Sequence, residues 1–400
     1  MTPLSGIRVV ELAHIMAGPV CGLMLADMGA DVVKMERLPG GDGTRAFLPP
    51  DVRGESAAFM MLNRRKRGLA LDLRSDDGRS LARRLVSDAD VIIENFRVGT
   101  MERMGLGYEE LSVLNPRLVY CQITGYGHTG PLAHQGGFDL ITQGYSGLMS
   151  VTGEGPGRAP VKVGVPVTDI TAGILAAFGV VSALFERERT GKGQRVDTSL
   201  YEAGIMQTYW QSAIALATGA SPGPLGSAHP LSAPYQTFPT IDGWVNVGAS
   251  NEATWIGLTE AVNAPDLRWD ERFRTNARRM ANLDELMGEL APHFLEQSTD
   301  RWLERLEDAG VPAGPIASVG EMLEHPQTHA RDMVIEVEHD KAGTVRSLGT
   351  PVKMSASTIE SEEGKRCGAP TLGQHTREVL VEAGLCDVEV DRLMVAGVVQ

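Results

Sequence analysis

Cysteine is scarce: the 400 residues hold four, at Cys21, Cys121, Cys367 and Cys386. They are widely scattered and no pair has zinc or redox spacing. That excludes a disulfide framework and a cysteine-ligated metal, and leaves reduced thiols in a cytoplasm as the expected setting. Positive charge is not in excess either. The formal net charge is −14, which argues against general nucleic-acid binding. The longest apolar run, Thr171 to Phe185, falls short of the roughly 20 residues that span a bilayer. It reads as a buried helix, so no membrane partner is expected. The first residues lack a basic stretch followed by an apolar core, so no signal peptide is expected. A serine nucleophile elbow is missing, since Gly144-Tyr-Ser-Gly147 fails G-x-S-x-G. His325 and His329 lie four apart with His339 beyond, but Pro326 interrupts the helix that would align them. A surface segment is expected there, not a zinc site, and no metal is expected elsewhere.

The most telling absence is at the start of the chain. Ile7 to Leu12 is a short β-branched strand. A helix-like run from Val20 to Met28 follows, ended by Gly29, and a second strand covers Asp31 to Glu36. This is the outline of a dinucleotide-binding βαβ unit, yet the first turn lacks G-x-G-x-x-G. It holds only Gly18, with His14 and Met16 before it. The second strand ends in Arg37 where a nicotinamide site wants an acidic residue for the ribose. An arginine there favours a ribose phosphate. A literal G-x-G-x-x-G does occur at Gly125 to Gly130, but Pro131 follows and no helix begins, so a loop is expected.

Four hundred residues suggest two or three domains. Residues 1–100 carry 14 Lys/Arg and 13 Asp/Glu, so the acidic excess lies wholly beyond them and an anionic ligand is better placed near the N-terminus. Further strands are expected at Leu69–Leu73, Val91–Glu94 and Leu118–Thr124, and helices at Asp77–Ser87, Tyr108–Leu114 and Thr171–Arg189. Apolar, unalternating strands between helices imply a mostly parallel sheet covered on both faces. The pattern changes after Tyr201. Ala220–Tyr235 reads as a linker, and Phe238–Val247 as a hairpin turning at Asp242-Gly243. Helices at Ala253–Val262, Leu283–Phe294 and Trp302–Asp308 complete a smaller α+β domain. The tail, Thr371 to Gln400, is helical again.

Two clusters carry chemistry. Val165-Pro-Val-Thr-Asp169 runs into the apolar helix. Thr168 or Asp169 there is either a helix cap or, as an ionised carboxylate, a nucleophile toward an acyl group. Asn63-Arg64-Arg65-Lys66-Arg67 is either a solvated face or, with Arg37, Arg74, Arg97 and Arg103, a grip for a polyphosphate.

In order along the chain stand Pro3-Leu-Ser-Gly-Ile-Arg-Val-Val-Glu-Leu12, Ala17-Gly-Pro19, Leu25-Ala-Asp-Met-Gly-Ala-Asp-Val-Val-Lys34 and Gly41-Asp42. They are followed by Asn63-Arg64, Leu71-Asp72-Leu73, Glu94-Asn-Phe-Arg97, Gly136-Gly-Phe-Asp139 and Asp169. Thr190-Gly-Lys-Gly-Gln194, His229-Pro230, Pro234-Tyr235 and Leu372-Gly-Gln-His-Thr376 complete the series. Each motif is short, but this many in order closely resembles one family, the class III CoA-transferases, also called the formyl-CoA or carnitine CoA-transferase family.

The resemblance implies an α/β fold with a Rossmann-like, mostly parallel large domain formed by 1–200 and 331–400, a smaller α+β domain within 220–330, and an interlocked homodimer. It implies Asp169 as the nucleophile. It places CoA contacts on His14, Ala17, Arg37, Leu71, Asp72, Leu73, Arg74, Asn95, Phe96, Arg97 and Arg103, with Phe138 and Asp139 near the pantetheine. The implied reaction moves CoA from an acyl-CoA, succinyl-CoA being the expected donor, to a small carboxylic acid. It passes through an aspartyl anhydride and an aspartyl-CoA thioester and needs no metal. Oxyanion donors are expected at the start of the Asp169 helix and in Gly248-Ala-Ser-Asn251.

The same scaffold resembles α-methylacyl-CoA racemases, which use a histidine where this chain has Phe138. Phenylalanine moves no proton, so a transferase is the stronger reading. Met16 and the segment near residue 248 depart from the formyl/oxalyl branch. Dicarboxylate acceptors such as citramalate, itaconate or mesaconate are therefore expected, with Arg45, Arg64 or Arg158 as partners for the second carboxylate. A CoA-binding protein without turnover is the alternative from another class, and a nicotinamide oxidoreductase ranks last.

Overall fold

The computed structural model describes residues 2–357 and 367–400. Residues 358–366 of the expected large domain lie outside the described residues. The chain forms two compact units. One comprises 1–146, 163–207 and 326–400, and the other 147–162 and 208–325.

The larger unit is built on six parallel strands: β1 (Arg8–Glu11), β2 (Asp31–Arg37), β3 (Arg67–Leu71), β4 (Val91–Glu94), β5 (Val119–Thr124) and β6 (Arg195–Ser199). Their order is β3-β2-β1-β4-β5-β6, every pair parallel. This is the doubly wound order of dinucleotide-binding sheets. Side chains alternate between two cores. Val9, Val32, Val91, Ile93 and Cys121 face α1 (Ala17–Asp27) on one side. Val10, Val33, Leu69, Ile92 and Tyr120 face α2 (Asp76–Ser87) and α3 (Tyr108–Leu114) on the other. Both faces of the sheet are covered, which is why these strands read as continuous apolar runs.

Strand β6 escaped the sequence reading. Its residues Arg-Val-Asp-Thr-Ser form a half-polar edge strand, with neither apolar continuity nor clean alternation.

Strand β5 ends at Thr124, and a long loop separates it from α4 (Asp139–Tyr145). The 24-residue α5 (Val167–Thr190) comes later still. The loop Gly125–Gly130 opens no helix, as its Pro131 predicts. Helix α5 is not buried all round. Ala172, Ala176, Val180 and Leu184 face the sheet, whereas Phe178 and Phe185 are 72% and 69% exposed. The run is apolar on both faces, and among the described residues only one of them finds a partner. By length and composition α5 is long and apolar enough to cross a bilayer, and here its small-residue stripe packs on α1.

The smaller unit holds a three-stranded antiparallel sheet of β7 (Tyr235–Pro239), β8 (Trp244–Gly248) and β9 (Ala313–Pro315), ordered β9-β8-β7. The hairpin turns at Asp242-Gly243, with Thr240 N–H donating to the Gly243 carbonyl. Helices α6 (Glu252–Ala261), α7 (Leu283–Phe294) and α8 (Thr299–Asp308) cover it. Phe238 stacks on Phe294 at 4.3 Å, and the Trp302 indole N–H donates to the Phe294 carbonyl at 2.8 Å. Segment 147–162 belongs to this unit, an excursion no pattern in the sequence announced.

After it the chain returns to the larger unit through β10 (Val334–His339) and β11 (Gly343–Leu348). It ends in α9 (Thr376–Glu382) and α10 (Asp387–Val395), which close the second core through Val379, Leu380, Val390 and Leu393.

Candidate active site

The strand order reverses between β1 and β4, and the loops leaving their carboxyl ends diverge there. A crevice at such a point is where doubly wound sheets hold ligands. A cavity of about 320 Å³ occupies this place. It is lined by His14–Ala17 after β1, Asn95–Val98 and Thr100 after β4, and Ile123–Gly125 at the end of β5. Gln135–Phe138, Leu200 and Asp169 complete it.

Asp169 stands in the first turn of α5. It caps nothing, and neither does Thr168: the N-cap position is Pro166, with no side-chain cap. The capping role falls to Asp139. Its Oδ1 accepts the Thr168 N–H at 3.0 Å and the Thr168 hydroxyl at 2.8 Å, and its Oδ2 accepts the Gln143 amide at 2.7 Å. The two carboxylates thus have opposite surroundings. Asp139 is saturated with donors, whereas no hydrogen bond reaches the Asp169 carboxylate among the described residues. Burial, reinforced by the nearby Asp139 charge, pushes the Asp169 carboxyl up to about 7.

That shift sets a pH dependence. A reaction that uses Asp169 in its ionised form is expected to lose about tenfold in kcat/KM per pH unit below an apparent pKa near 7. A profile flat down to pH 5 would contradict it. The same shift acts on stability. Between its ordinary pKa and 7 the folded state binds the proton more tightly than the unfolded chain, so stability drops as pH rises through that window. Asp169→Asn is expected to be more stable than wild type at pH 8, by at most about 4 kcal/mol, and equally stable below about pH 4. Denaturant unfolding at the two pH values checks this.

The cavity floor depends on two glycines. A Cβ on Gly137 would sit 2.5 Å from the Gly125 Cα, and one on Gly125 would sit 2.7 Å from the Gly137 Cα. The strand β5 exit and the loop before α4 therefore cross backbone against backbone. Gly136 and Gly137 line the cavity, and their N–H groups make no hydrogen bond among the described residues. A side chain at Gly136 would collide with the Arg97 guanidinium. Among the described residues, Arg97 is the only arginine or lysine on the cavity wall.

Of the residues assigned through the family resemblance, the structure gathers His14, Ala17, Asn95, Phe96, Arg97, Phe138 and Asp169 around the cavity. Burial lowers the pKa of His14, whose ring tilts against Phe96 at 5.4 Å. Arg103 lies one step outside, donating to Thr100 Oγ1 at 3.0 Å. Arg37, Asp72, Leu73 and Arg74 do not line the cavity. They sit at the ends of β2 and β3, where Arg37 Nε donates to the Gly41 carbonyl and Arg74 pairs with Asp72 at 2.8 Å. Leu71 is fully buried in the core, backbone included.

Several expectations need correction. The basic run is not a solvated face: Arg64, Lys66 and Arg67 turn to carboxylates of the protein itself. Arg64 is 3% exposed and held by both oxygens of Asp27; Lys66 is buried against Glu11, Asn63 and the Pro19 carbonyl; Arg67 pairs with Asp31, Glu378 and Glu382. Burial pulls Lys66 down to about 8. Arg45 and Arg64 are equally unavailable to a substrate carboxylate, since Arg45 is gripped by Glu36 and lies over Phe59. Arg158 belongs to the other unit and pairs with Glu154. Most of the expected oxyanion donors are occupied. Thr168 N–H goes to Asp139, Ile170 to Pro166, Gly248 to Pro312, Ala249 to Pro234 and Asn251 to Thr254, whereas the Asp169 and Ser250 N–H groups make no hydrogen bond among the described residues.

These features define an α/β protein with a half-buried, donor-free carboxylate on the wall of a nucleotide-type crevice, and comparison with known proteins agrees. The model of CoA-transferase family III matches residues 4–376, and the chain belongs to that family. It is 42% identical over 386 residues, 95% of each chain, to the succinate–glutarate CoA-transferase of Agrobacterium fabrum. It is 39% identical to the succinyl-CoA:mesaconate CoA-transferase of Haloarcula hispanica, covering 96% of this chain and 97% of that one. A crystal structure of a CAIB/BAIF family protein from Brucella suis superposes with a TM-score of 0.83 at 42% identity, covering 96% of this chain and 99% of that one. The chain is a CoA-transferase, and CoA is its substrate.

Proposed function

We propose that this enzyme moves CoA from succinyl-CoA to a small dicarboxylic acid, glutarate or a close analogue, with Asp169 as nucleophile. The observation that carries the reading is the Asp169 carboxylate. It is half-buried, bound by no donor among the described residues, and set on the wall of the strand-end cavity. A carboxylate without donors keeps its lone pairs for attack.

Asp169 attacks the thioester carbonyl, the carbon–sulfur bond breaks and CoA thiolate leaves, giving an acyl-aspartyl anhydride. The thiolate attacks the aspartyl carbonyl of that anhydride. Succinate departs and an aspartyl-CoA thioester remains. The acceptor carboxylate attacks this thioester and expels the thiolate, forming a second anhydride. The thiolate then attacks the acceptor carbonyl, releasing acceptor-CoA and free Asp169. No proton is gained or lost overall. Each tetrahedral oxyanion needs donors in a dry site. The unpaired Gly136 and Gly137 N–H groups supply them, and Arg97 supplies the positive charge for anionic parts of the substrates. Phe138 offers no proton relay, so a two-base racemase has no second base there.

The dicarboxylate reading is supported by the names of the relatives. It is tested by incubating the enzyme with succinyl-CoA and a panel of mono- and dicarboxylic acids and reading new acyl-CoAs by mass spectrometry. Preferred turnover of five-carbon dicarboxylates supports it, and equal rates for monocarboxylates contradict it. The other face of α5, with Ile174, Phe178, Val181 and Phe185 exposed, supports a homodimer. The few free cysteines fit a cytoplasmic setting for it. Sedimentation equilibrium at twice the chain mass is the expected result, and a monomer at micromolar concentration contradicts it.

A further inference from the structure

The turn that follows β1 is held in an unfavourable shape from beneath. Ile15 has φ of +68°, in the left-handed region that a β-branched side chain avoids. Side chains bind the polar backbone groups of this turn. The Ala13 carbonyl accepts Lys34 Nζ at 2.9 Å. The His14 N–H donates to Asn95 Oδ1 at 2.9 Å, and the His14 carbonyl accepts Asn95 Nδ2 at 2.8 Å. The Ile15 N–H donates to the Asp42 carboxylate at 3.1 Å.

Lys34 and Asp42 meet at 2.9 Å with side chains 0% and 1% exposed. Asp42 also accepts the Thr44 N–H and hydroxyl, both at 2.9 Å, and Lys34 also pairs with Glu11 at 2.9 Å. Neither Lys34 nor Asp42 lines the cavity, whereas His14, Ile15 and Asn95 do. An ion pair this deep is a poor source of stability, because desolvation cancels much of its attraction. Its contribution lies in geometry.

We propose that Lys34 and Asp42 are positioning residues of the active site. By gripping Ala13 and Ile15, they hold the strained turn that sets His14 against the bound acyl-CoA opposite Asp169. The inference rests on the reading that acyl-CoA occupies this cavity.

The test uses Asp42→Ala, Asp42→Asn, and each combined with Ile15→Gly. Each protein is measured for CoA transfer, for CoA affinity by calorimetry, and for melting temperature. Misplacing a site by about 1 Å can cost about 100-fold. Asp42→Ala is therefore expected to lose at least about tenfold in kcat/KM. Asp42→Asn keeps an oxygen for the Ile15 N–H and is expected to lose less. Glycine takes positive φ without strain. Adding Ile15→Gly is thus expected to restore at least about threefold of the activity lost, even where the melting temperature stays low. A folded Asp42→Ala within about twofold of wild type overturns the proposal. So does activity that follows melting temperature alone and ignores Ile15→Gly. Should Asp42→Ala not fold, the pair Asp42→Asn with and without Ile15→Gly is judged by the same two criteria. Calorimetry keeps the two readings apart. A wild type that binds CoA tightly but transfers none contradicts the transferase chemistry, and the turn is then judged on affinity. In that case CoA affinity left unchanged by all of these variants contradicts the turn.

Discussion

Asp169→Ala is expected to lower kcat for CoA transfer by at least about 1,000-fold while changing CoA affinity by less than about threefold. The size follows from the chemistry. An acceptor carboxylate cannot displace CoA thiolate usefully without an activated intermediate, so removing the proposed nucleophile removes the path and not merely one stabilising contact. The small effect on affinity follows from the electrostatics. An anionic Asp169 beside Asp139 does nothing to attract a polyanion, and its removal leaves Asn95, Arg97 and the strand-end loops in place. Asp169→Asn is expected to match Asp169→Ala in activity, since an amide neither attacks nor is freed by hydroxide during the assay. Residual transfer within about tenfold of wild type in either variant would put the nucleophile elsewhere. Loss of CoA affinity in parallel with kcat would make Asp169 a binding residue.

Asp27→Ala is expected to cost about 3–5 kcal/mol of stability, measured by denaturant unfolding, with no change in the KM for succinyl-CoA. Asp27 is the last residue of α1, where a negative charge opposes the helix dipole and needs a cation nearby. Arg64 provides it from inside, with both side chains nearly fully buried. Its Nε is spent on the Leu348 carbonyl, so the guanidinium cannot turn to solvent when its carboxylate is lost. The double variant Asp27→Leu/Arg64→Met removes both charges and is expected to recover most of the loss, the pattern of a buried pair. A large rise in KM with unchanged stability would return the basic run to the ligand.

These two predictions fall on opposite sides of what the sequence made legible. The βαβ start, the parallel sheet and the helix after Asp169 were readable because buried parallel strands and long helices carry strong, continuous apolar signals. The edge strand β6 and the excursion 147–162 carry no such signal. For the site, the order of short motifs pointed to Asp169, and the crevice contains it. The role of Asp139 as the cap of α5 was not readable, because the contact joins residues 29 apart through a side chain. The basic run misled for a physical reason. Near-equal numbers of both charges in the first hundred residues suggested room for an anion, but much of that balance is internal pairing: Lys34 and Lys66 with Glu11, Arg64 with Asp27, and Arg45 with Glu36. A sequence signal for this did exist. Glu11, Lys34 and Glu36 stand inside otherwise apolar strands, and a charge there must find a buried partner.

The account turns on Asp169 carrying the acyl group and then CoA. The direct measurement is to mix the enzyme with succinyl-CoA, quench in acid within one turnover, digest, and weigh the peptide that contains Asp169. The expected result is a succinyl or CoA adduct on that residue, absent from Asp169→Ala and discharged when a dicarboxylic acid is added. Transfer that proceeds at the normal rate with that peptide unmodified throughout would contradict the account.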